Sequence, residues 1–407
     1  MSEPTAWLSD FRAQQSRKFC EQGFPTRKNE QWKYTEIKEN NIPKNRGAVR
    51  ELEKSKKLGI FPIQLIFING HFSKKLSTMK TLPNDVILRP ISAMLKTEEN
   101  RIKPYLIREF DGKSFPFAQL NSSLMTDGMY LEIPQQTAID APIHLIFIHT
   151  QQNEFMIHPR NIIVANRQSQ VTIIEEHYAE QAQHYFTNSV TDVYAAEGAQ
   201  VNYFKIQDDD LTATHVANIF VEQQKDSSVT TFCFSKGSRL EREDLSISQR
   251  ARGAQTNCHG LYGLNHDDQH VDHHVHVDHA ASFGTSSMLY KGILNKKSRA
   301  VFNGKVYVCQ GIQQINAHQA NHNLLLSPNA EVNSKPELEI YAEDVKCTHG
   351  ATVGQLDSEA LFYFLSRGIE KNEARQLLLH AFCEEIYGKI SDAAIREYIQ
   401  KRMNDYA

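Results

Sequence analysis

No Cys-x-x-Cys pair occurs among the six cysteines of this 407-residue chain, Cys20, Cys233, Cys258, Cys309, Cys347 and Cys383. Their scatter argues against a closed four-thiolate zinc site and against a secreted disulfide framework, and reduced thiols in a cytoplasmic protein account for it most simply. Phosphate-cradling loops are missing too: there is neither a GxxxxGK[ST] sequence nor a strand-linked GxGxxG. A GxSxG elbow and an HExxH helix are likewise absent, so hydrolytic or nucleotide-dependent chemistry has no support in the chain. The opening MSEPTAWLSDFRAQQ lacks the apolar run of a signal peptide, and no later stretch approaches the roughly twenty apolar residues of a membrane helix. A net charge of −3 gives no reason to expect nucleic acid or an anionic membrane as partner.

What is present is a soluble composition, 40% hydrophobic and 23% charged, with eighteen histidines as the one oddity. Three zones differ in texture. The first, residues 1–105, reads as a helical and mixed domain: Trp7, Leu8, Phe11 and Gln15 keep helical spacing, 40–60 is a charged connector, and the strand LIFI runs into the hairpin signal Asn69-Gly70. The second, 106–365, is a succession of six- to nine-residue runs such as NIIVANR, QVTIIEEHY and SVTTFCFS, many alternating apolar with polar. No ten-residue stretch there has helical periodicity before Asp357. The fold class is therefore mainly β, and a sandwich, a barrel and a solenoid all remain open; the length without a clean boundary leans to the solenoid. The third zone, 366–407, is helical, with Leu377, Leu378, Leu379, Phe382, Ile386 and Ile390 on one amphipathic helix and Asp392 as N-cap of another.

Two constellations could carry chemistry. Cys347 and His349 stand two apart in a strand-like run, so they project from one face, where thiol and imidazole suit zinc, copper or iron–sulfur ligation, or thiolate chemistry if the imidazole lowers the thiol pKa. The alternative is an inert thiol beside a surface imidazole. The run QHVDHHVHVDH, Gln269 to His279, puts His270, Asp272, His274, His276 and Asp278 on one strand face and Val271, His273, Val275, Val277 and His279 on the other. Same-face neighbours lie roughly 7 Å apart, so a single ion would need ligands from other strands. A polar face with lateral hydrogen bonds is favoured over a metal-binding protein or metalloenzyme using His270–His279. The amides of Asn303 to Asn323 suggest polar ladders along a solenoid axis, with Cys309 as core and His318 and His322 solvated.

Several long segments carry a resemblance: HVDHHVHVDHAASFGTSSMLYKGIL (270–294), SRAVFNGKVYV (298–308), NHNLLLSPNAEVNSKPELEIYAEDVKCTHGATVGQLD (321–357) and LFYFLSRGI (361–369). PTRKNEQWKY (25–34) and NSSLMTDG (121–128) add to it. The chain resembles the SufB/SufD family of the SUF iron–sulfur cluster assembly machinery. It looks like the SufD branch, reading Asn316-Ala317-His318 and Cys347-Thr348-His349-Gly350-Ala351-Thr352 where SufB carries a Gln-Cys-Asp and an EHEAT-type stretch. The resemblance implies a right-handed parallel β-helix between helical terminal domains. It also implies a non-catalytic scaffold that pairs with SufB through the β-helix; for the chain in isolation a homodimer stays open. The SufC ATPase would dock on the C-terminal helical part, here Arg367, Gly368, Ile369, Leu378 and Phe382. Cys347 and His349 would serve cluster assembly and the admission of iron at the SufB–SufD interface. No cofactor would be tightly bound by the chain alone; an iron–sulfur cluster or iron would be transient cargo.

Overall fold

A computed structural model describes residues 6–39, 42–48, 60–79, 82–150, 154–180 and 184–403. Most of the charged connector expected at 40–60 lies outside them. Seven α-helices are described: α1 (Ala6–Gln22), α2 (Ile91–Thr97), α3 (Glu99–Leu106), α4 (Pro116–Leu124), α5 (Ser358–Ser366), α6 (Lys371–Tyr387) and α7 (Ala393–Met403). Between α4 and α5 the chain shuttles between two long sheets, so the mainly β reading holds as a parallel β-solenoid. One sheet stacks the strands Ile63–Ile68, Ile143–His149, Gln170–Ala179, Gln200–Asp208, Ser228–Ser235, Gln255–Leu264, Thr285–Leu294, Ile315–Leu325 and Val345–Gly354. The other stacks Met129–Ile133, Arg160–Ala165, Tyr185–Ala195, Thr214–Gln223, Leu240–Gln249, His270–His279, Arg299–Val308 and Glu331–Ile340. The first sheet thus already includes Ile63–Ile68, reached before α2, whose Asn69-Gly70 turn has φ of 48° and 81°, as a two-residue hairpin with both central residues left-handed requires.

Parallel in-register pairing turns every inward position into a column. One column runs Val171, Val201, Val229, Thr256, Ser286, Ala317, Cys347; two residues along, another runs Ile173, Tyr203, Thr231, Cys258, Met288, Gln319, His349. The corner between the sheets is equally repetitive. Gln168, Gly198, Asp226, Gly253, Phe283 and Gln314 all take left-handed φ values between 54° and 75°, and each donates its N–H to a carbonyl of the next rung, from Gln168 to Glu197 through Gln314 to Asp344. Only Gly198 and Gly253 adopt that conformation without a steric penalty.

Each sheet's outer face is covered separately. The N-terminal helices lie on the second sheet, where Phe117 and Trp32 pack with Phe186 and Val216, and Ile91, Met94 and Ile102 with Tyr130 and Ile162. α6 and α7 lie on the first, where Leu379, Cys383, Ile386, Ile395 and Ile399 meet Phe204, Phe232, Phe234, Leu261 and Ile293. α4 begins with Pro116 at its first turn; at nine residues it is shorter than the helical stretch a periodicity reading detects. The expected amide ladder takes another form: Asn321 and Asn323 point inward and bond the Tyr262 hydroxyl, while Asn323 also donates to Asn321. Cys309 is not core; it is half-buried just past the Arg299–Val308 strand, its Sγ 3.8 Å from Asp278.

Glycine also shapes the interior. A Cβ on Gly292 would stand 2.2 Å from the Tyr262 ring and 2.3 Å from Asn323 Oδ1, whereas one on Gly350, in the last strand, would meet nothing within 4 Å. Gly292→Ala is therefore expected to destabilise the protein by about 1–3 kcal/mol, and Gly350→Ala to stay within about 0.5 kcal/mol, in thermal or urea unfolding. Equal shifts for both would contradict the packing.

Candidate functional site

Cys347 and His349 sit on Val345–Gly354, the last strand of the first sheet, opposite Ala317 and Gln319 of the preceding rung. Ala317 and Gln319 are buried, so Cys347 and His349 continue inward-facing columns. The structure thus keeps both on one face, at the end of the stack where, among the described residues, no further strand covers them: Cys347 is half-buried and His349 exposed. Burial raises the Cys347 thiol above its ordinary pKa, offset in part by the Ala317 backbone hydrogen bond. The thiol is thus held protonated in the chain by itself. Outward on the same two rungs, His318 is hydrogen-bonded to Thr348 at 2.7 Å and His322 to Thr352 at 2.8 Å, and His322 is half-buried rather than free in solvent.

The strand leads through Asp357 into α5. Asp357 caps that helix, its Oδ1 accepting from Glu359 N at 2.8 Å and Ala360 N at 3.3 Å. Gly368, at φ 83°, closes it: its N–H donates to Leu365 O, and that of Ile369 to Phe364 O, the paired bonds of a Schellman motif. α5 buries no residue, leaving Phe362 70% and Tyr363 56% exposed. Nine residues fall short of the roughly 12–15 needed for a stable isolated helix, so the caps and the packing on α6 hold it. Arg367 is exposed, its guanidinium 5.2 Å from the Tyr363 ring centroid, and Ile369 is half-buried. On α6, Leu378 is half-buried, and Phe382 is engaged within the chain: Lys291 Nζ lies 4.2 Å from its ring centroid and donates to its carbonyl at 2.8 Å.

The histidine run forms the strand His270–His279, and its two faces have different fates. The outer one is not open to solvent. Residues 30–35 lie over it, leaving a groove of about 390 Å³ lined in part by His274 and His276. Arg242 stacks 3.8 Å from the Trp32 ring centroid and pairs with Asp272 at 2.9 Å, His274 Nε2 lies 2.9 Å from Asp272 Oδ1, and Thr35 bonds both His270 and Asp272. Burial opposes the Asp272 charge, but His274, Arg242 and Thr35 more than offset it and keep its pKa well below the carboxylate range. His273 and His279 point into the solenoid. His279 bonds Ser286 at 2.9 Å, with burial lowering its pKa to about 4. Among the described residues, the one cluster of three metal-capable side chains is Cys233, Glu241 and His273, all buried. Cys233 and Glu241 carry no motif; only strand alternation combined with the rung offset could have brought them together.

α7 is fastened to an early rung by charge as well as by apolar contact. Arg402 pairs with the buried Glu176 at 2.8 Å, Tyr398 donates to it, and His144 lies 2.9 Å from it.

Two family profiles match the chain. The one described as "SUF system FeS cluster assembly, SufBD core domain" covers residues 147–382, and "SufBD protein N-terminal region" covers 59–145. An iron–sulfur cluster assembly SufBD family protein of Synechocystis sp. is 35% identical over 82% of this chain and 75% of its own length. The chloroplastic protein ABCI7 of Arabidopsis thaliana is 30% identical over 82% of the chain and 71% of its own length. The chain belongs to the SufBD family of SUF-system iron–sulfur cluster assembly proteins, and within it is of the SufD type. The iron–sulfur cluster assembly protein SufD of Escherichia coli, 26% identical, aligns over 94% of this chain and 89% of its own length. Among the described residues no helix is long and apolar enough to cross a membrane.

The Glu176 anchor makes α7 acid-labile. Burial raises the Glu176 pKa, but His144, Arg402 and Tyr398 outweigh it and hold the carboxyl below its ordinary value of 4.5. A depressed folded pKa contributes stability that is fully present above the unfolded value and is lost as pH falls through the folded one. Protection factors across 393–403, with the intrinsic pH dependence of amide exchange divided out, should therefore be high at pH 6 and fall below about pH 4.5, while Glu176→Gln should lower them already at neutral pH. Unchanged exchange in the variant would show that apolar packing alone holds the helix.

Proposed function

We propose that this chain is the SufD subunit of a cytoplasmic SUF scaffold that pairs with SufB, docks the SufC ATPase, and supports cluster assembly and the admission of iron at the SufB–SufD interface. The observation that carries this reading is the position of Cys347 and His349: one face, the last strand, and an uncapped end of the stack. An end rung left without a strand partner is a template for another chain. Exposed apolar groups next to it, Tyr341 at 58% and Val353 at 52%, favour a partner there, with SufB as occupant and a second copy of this chain as the alternative in isolation. A thiol and an imidazole offered from one subunit leave coordination positions for the other. Such a shared site can hold iron and sulfide as cargo and release them, as a closed four-thiolate cage would not.

For SufC, the support is the uncovered apolar face of α5 with the Arg367-Gly368-Ile369 turn behind it, where the β core of 106–365 gives way to the helical unit of 366–407. Leu378 and Phe382 would lie beneath that surface, Phe382 being tied to Lys291. ATP hydrolysis belongs to the partner on this reading, and the chain itself contributes no catalytic group.

In cells that depend on this pathway, Cys347→Ala or His349→Ala should lower iron–sulfur enzyme activity by roughly tenfold, comparable to the loss on removing a ligand-supporting group. Full activity in the double variant would leave the chain a purely architectural subunit. Phe362→Asp with Leu365→Asp should abolish co-purification of SufC while SufB remains bound; retention of SufC would move its docking surface off α5.

A further inference from the structure

The solenoid interior is expected to be apolar, yet around Lys205 it is charged. Inward positions of two neighbouring strands in each sheet place Lys205 on Gln200–Asp208, Cys233 on Ser228–Ser235, Glu241 and Glu243 on Leu240–Gln249, and His273 on His270–His279. All five are buried. Cys233 Sγ lies 4.0 Å from His273 Nε2, and His273 Nε2 lies 3.6 Å from Glu241 Oε1; the three ligand-capable atoms fall within 4.8 Å of one another. In a tetrahedral zinc site, sulfur and nitrogen donors stand about 3.5 Å apart, so the observed edges need only small adjustments. Glu243 Oε2 is 3.3 Å from the same sulfur.

Two observations point to a cation site. Glu241 Oε2 accepts a hydrogen bond from Ser235, but Oε1, aimed at the imidazole, has no hydrogen-bond partner although it is fully buried. An acceptor left so costs about 1–3 kcal/mol, more when charged. The charges also fail to balance. Lys205 faces Glu243, at 3.5 Å, together with Glu241 and Glu175, so three buried carboxylates share one ammonium and the His273 imidazole. A dication ligated there takes the place of the Cys233 thiol proton, which leaves as the thiolate forms. The imidazole is already oriented for ligation, its ring edge-on to Tyr262 and Tyr290 at centroid distances of 5.5 and 5.9 Å.

We propose that Cys233, Glu241 and His273, completed by Glu243, hold a resident divalent transition-metal ion of borderline softness, Zn²⁺ or Fe²⁺, sealed inside the solenoid. Sulfur, nitrogen and oxygen donors together select such an ion over Mg²⁺ or Ca²⁺. The ion ties together three strands, Ser228–Ser235 of the first sheet with the adjacent Leu240–Gln249 and His270–His279 of the second. Being enclosed, it is acquired as the chain folds and is distinct from any cargo at Cys347 and His349. Of the histidine run, only His273 takes part.

The test uses the full chain, purified without chelator and under exclusion of oxygen. Elemental analysis should give about one ion per chain, with zinc and iron read separately. Unfolding with chelator and refolding with Co²⁺ should produce a thiolate-to-cobalt charge-transfer band with four-coordinate ligand-field bands. Cys233→Ser should remove that band and lower retained metal by roughly tenfold or more, whereas Cys20→Ser, at an exposed cysteine far from any proposed ligand, should leave both unchanged. Wild-type protein that carries no ion as isolated and shows no thiolate band after Co²⁺ refolding would overturn the proposal, whether or not the variants fold. So would a Cys233→Ser protein with wild-type band and stoichiometry.

Discussion

Everything in this molecule depends on parallel strands stacking in register, so that a residue's environment is set by its counterparts one rung above and one rung below. A valine column needs nothing more than another valine. A charged column must be answered from neighbouring rungs or from the opposite sheet, which is why the interior near Lys205 draws its partners from four strands. The same rule accounts for the end of the stack. Cys347 and His349 are ordinary inward positions, and they become accessible only because the register stops one rung beyond Ala317 and Gln319.

The outer faces obey a different constraint. A solenoid with two long sheets presents two apolar surfaces, and the chain covers each with helices from a different terminus. Side chains such as Leu379, Ile386 and Ile399 each contribute about 1.5–3 kcal/mol by leaving water. α5 contributes nothing of that kind, so its exposed aromatic face is not there for the chain's own stability.

Alternation along strands made the β class legible in the sequence, and caps and turns such as Asn69-Gly70 and Asp392 were readable because their signals are local; Asp392 does accept from Ala394 and Ile395. The solenoid could only be leaned toward, since alternation is common to sandwiches, barrels and solenoids alike. Cys347 and His349 stood out by their two-residue spacing, which survives folding unchanged. The covering of the histidine face by Trp32 and Thr35 could not be foreseen, because those residues lie more than 200 positions from Arg242 and Asp272 and nothing in their own neighbourhood points there. The Cys233–Glu241–His273 group was hidden for a related reason: three residues without a motif become neighbours only once strand length and rung offset are fixed.

The bond from α7 to Glu176 alters how such a stack can come apart. A stack held only by neighbouring rungs melts like a zipper, losing rungs one at a time from a free end. Here Tyr398 and Arg402 grip a strand some 220 residues earlier, while α6 rests on Gln255–Leu264 and Thr285–Leu294, so the two helices lie along the rungs like a splint. Rungs beneath the splint must open together or not at all. Glu331–Ile340 and Val345–Gly354 lie beyond it, and fraying, with whatever conformational freedom a transient partner would exploit, is confined to that end.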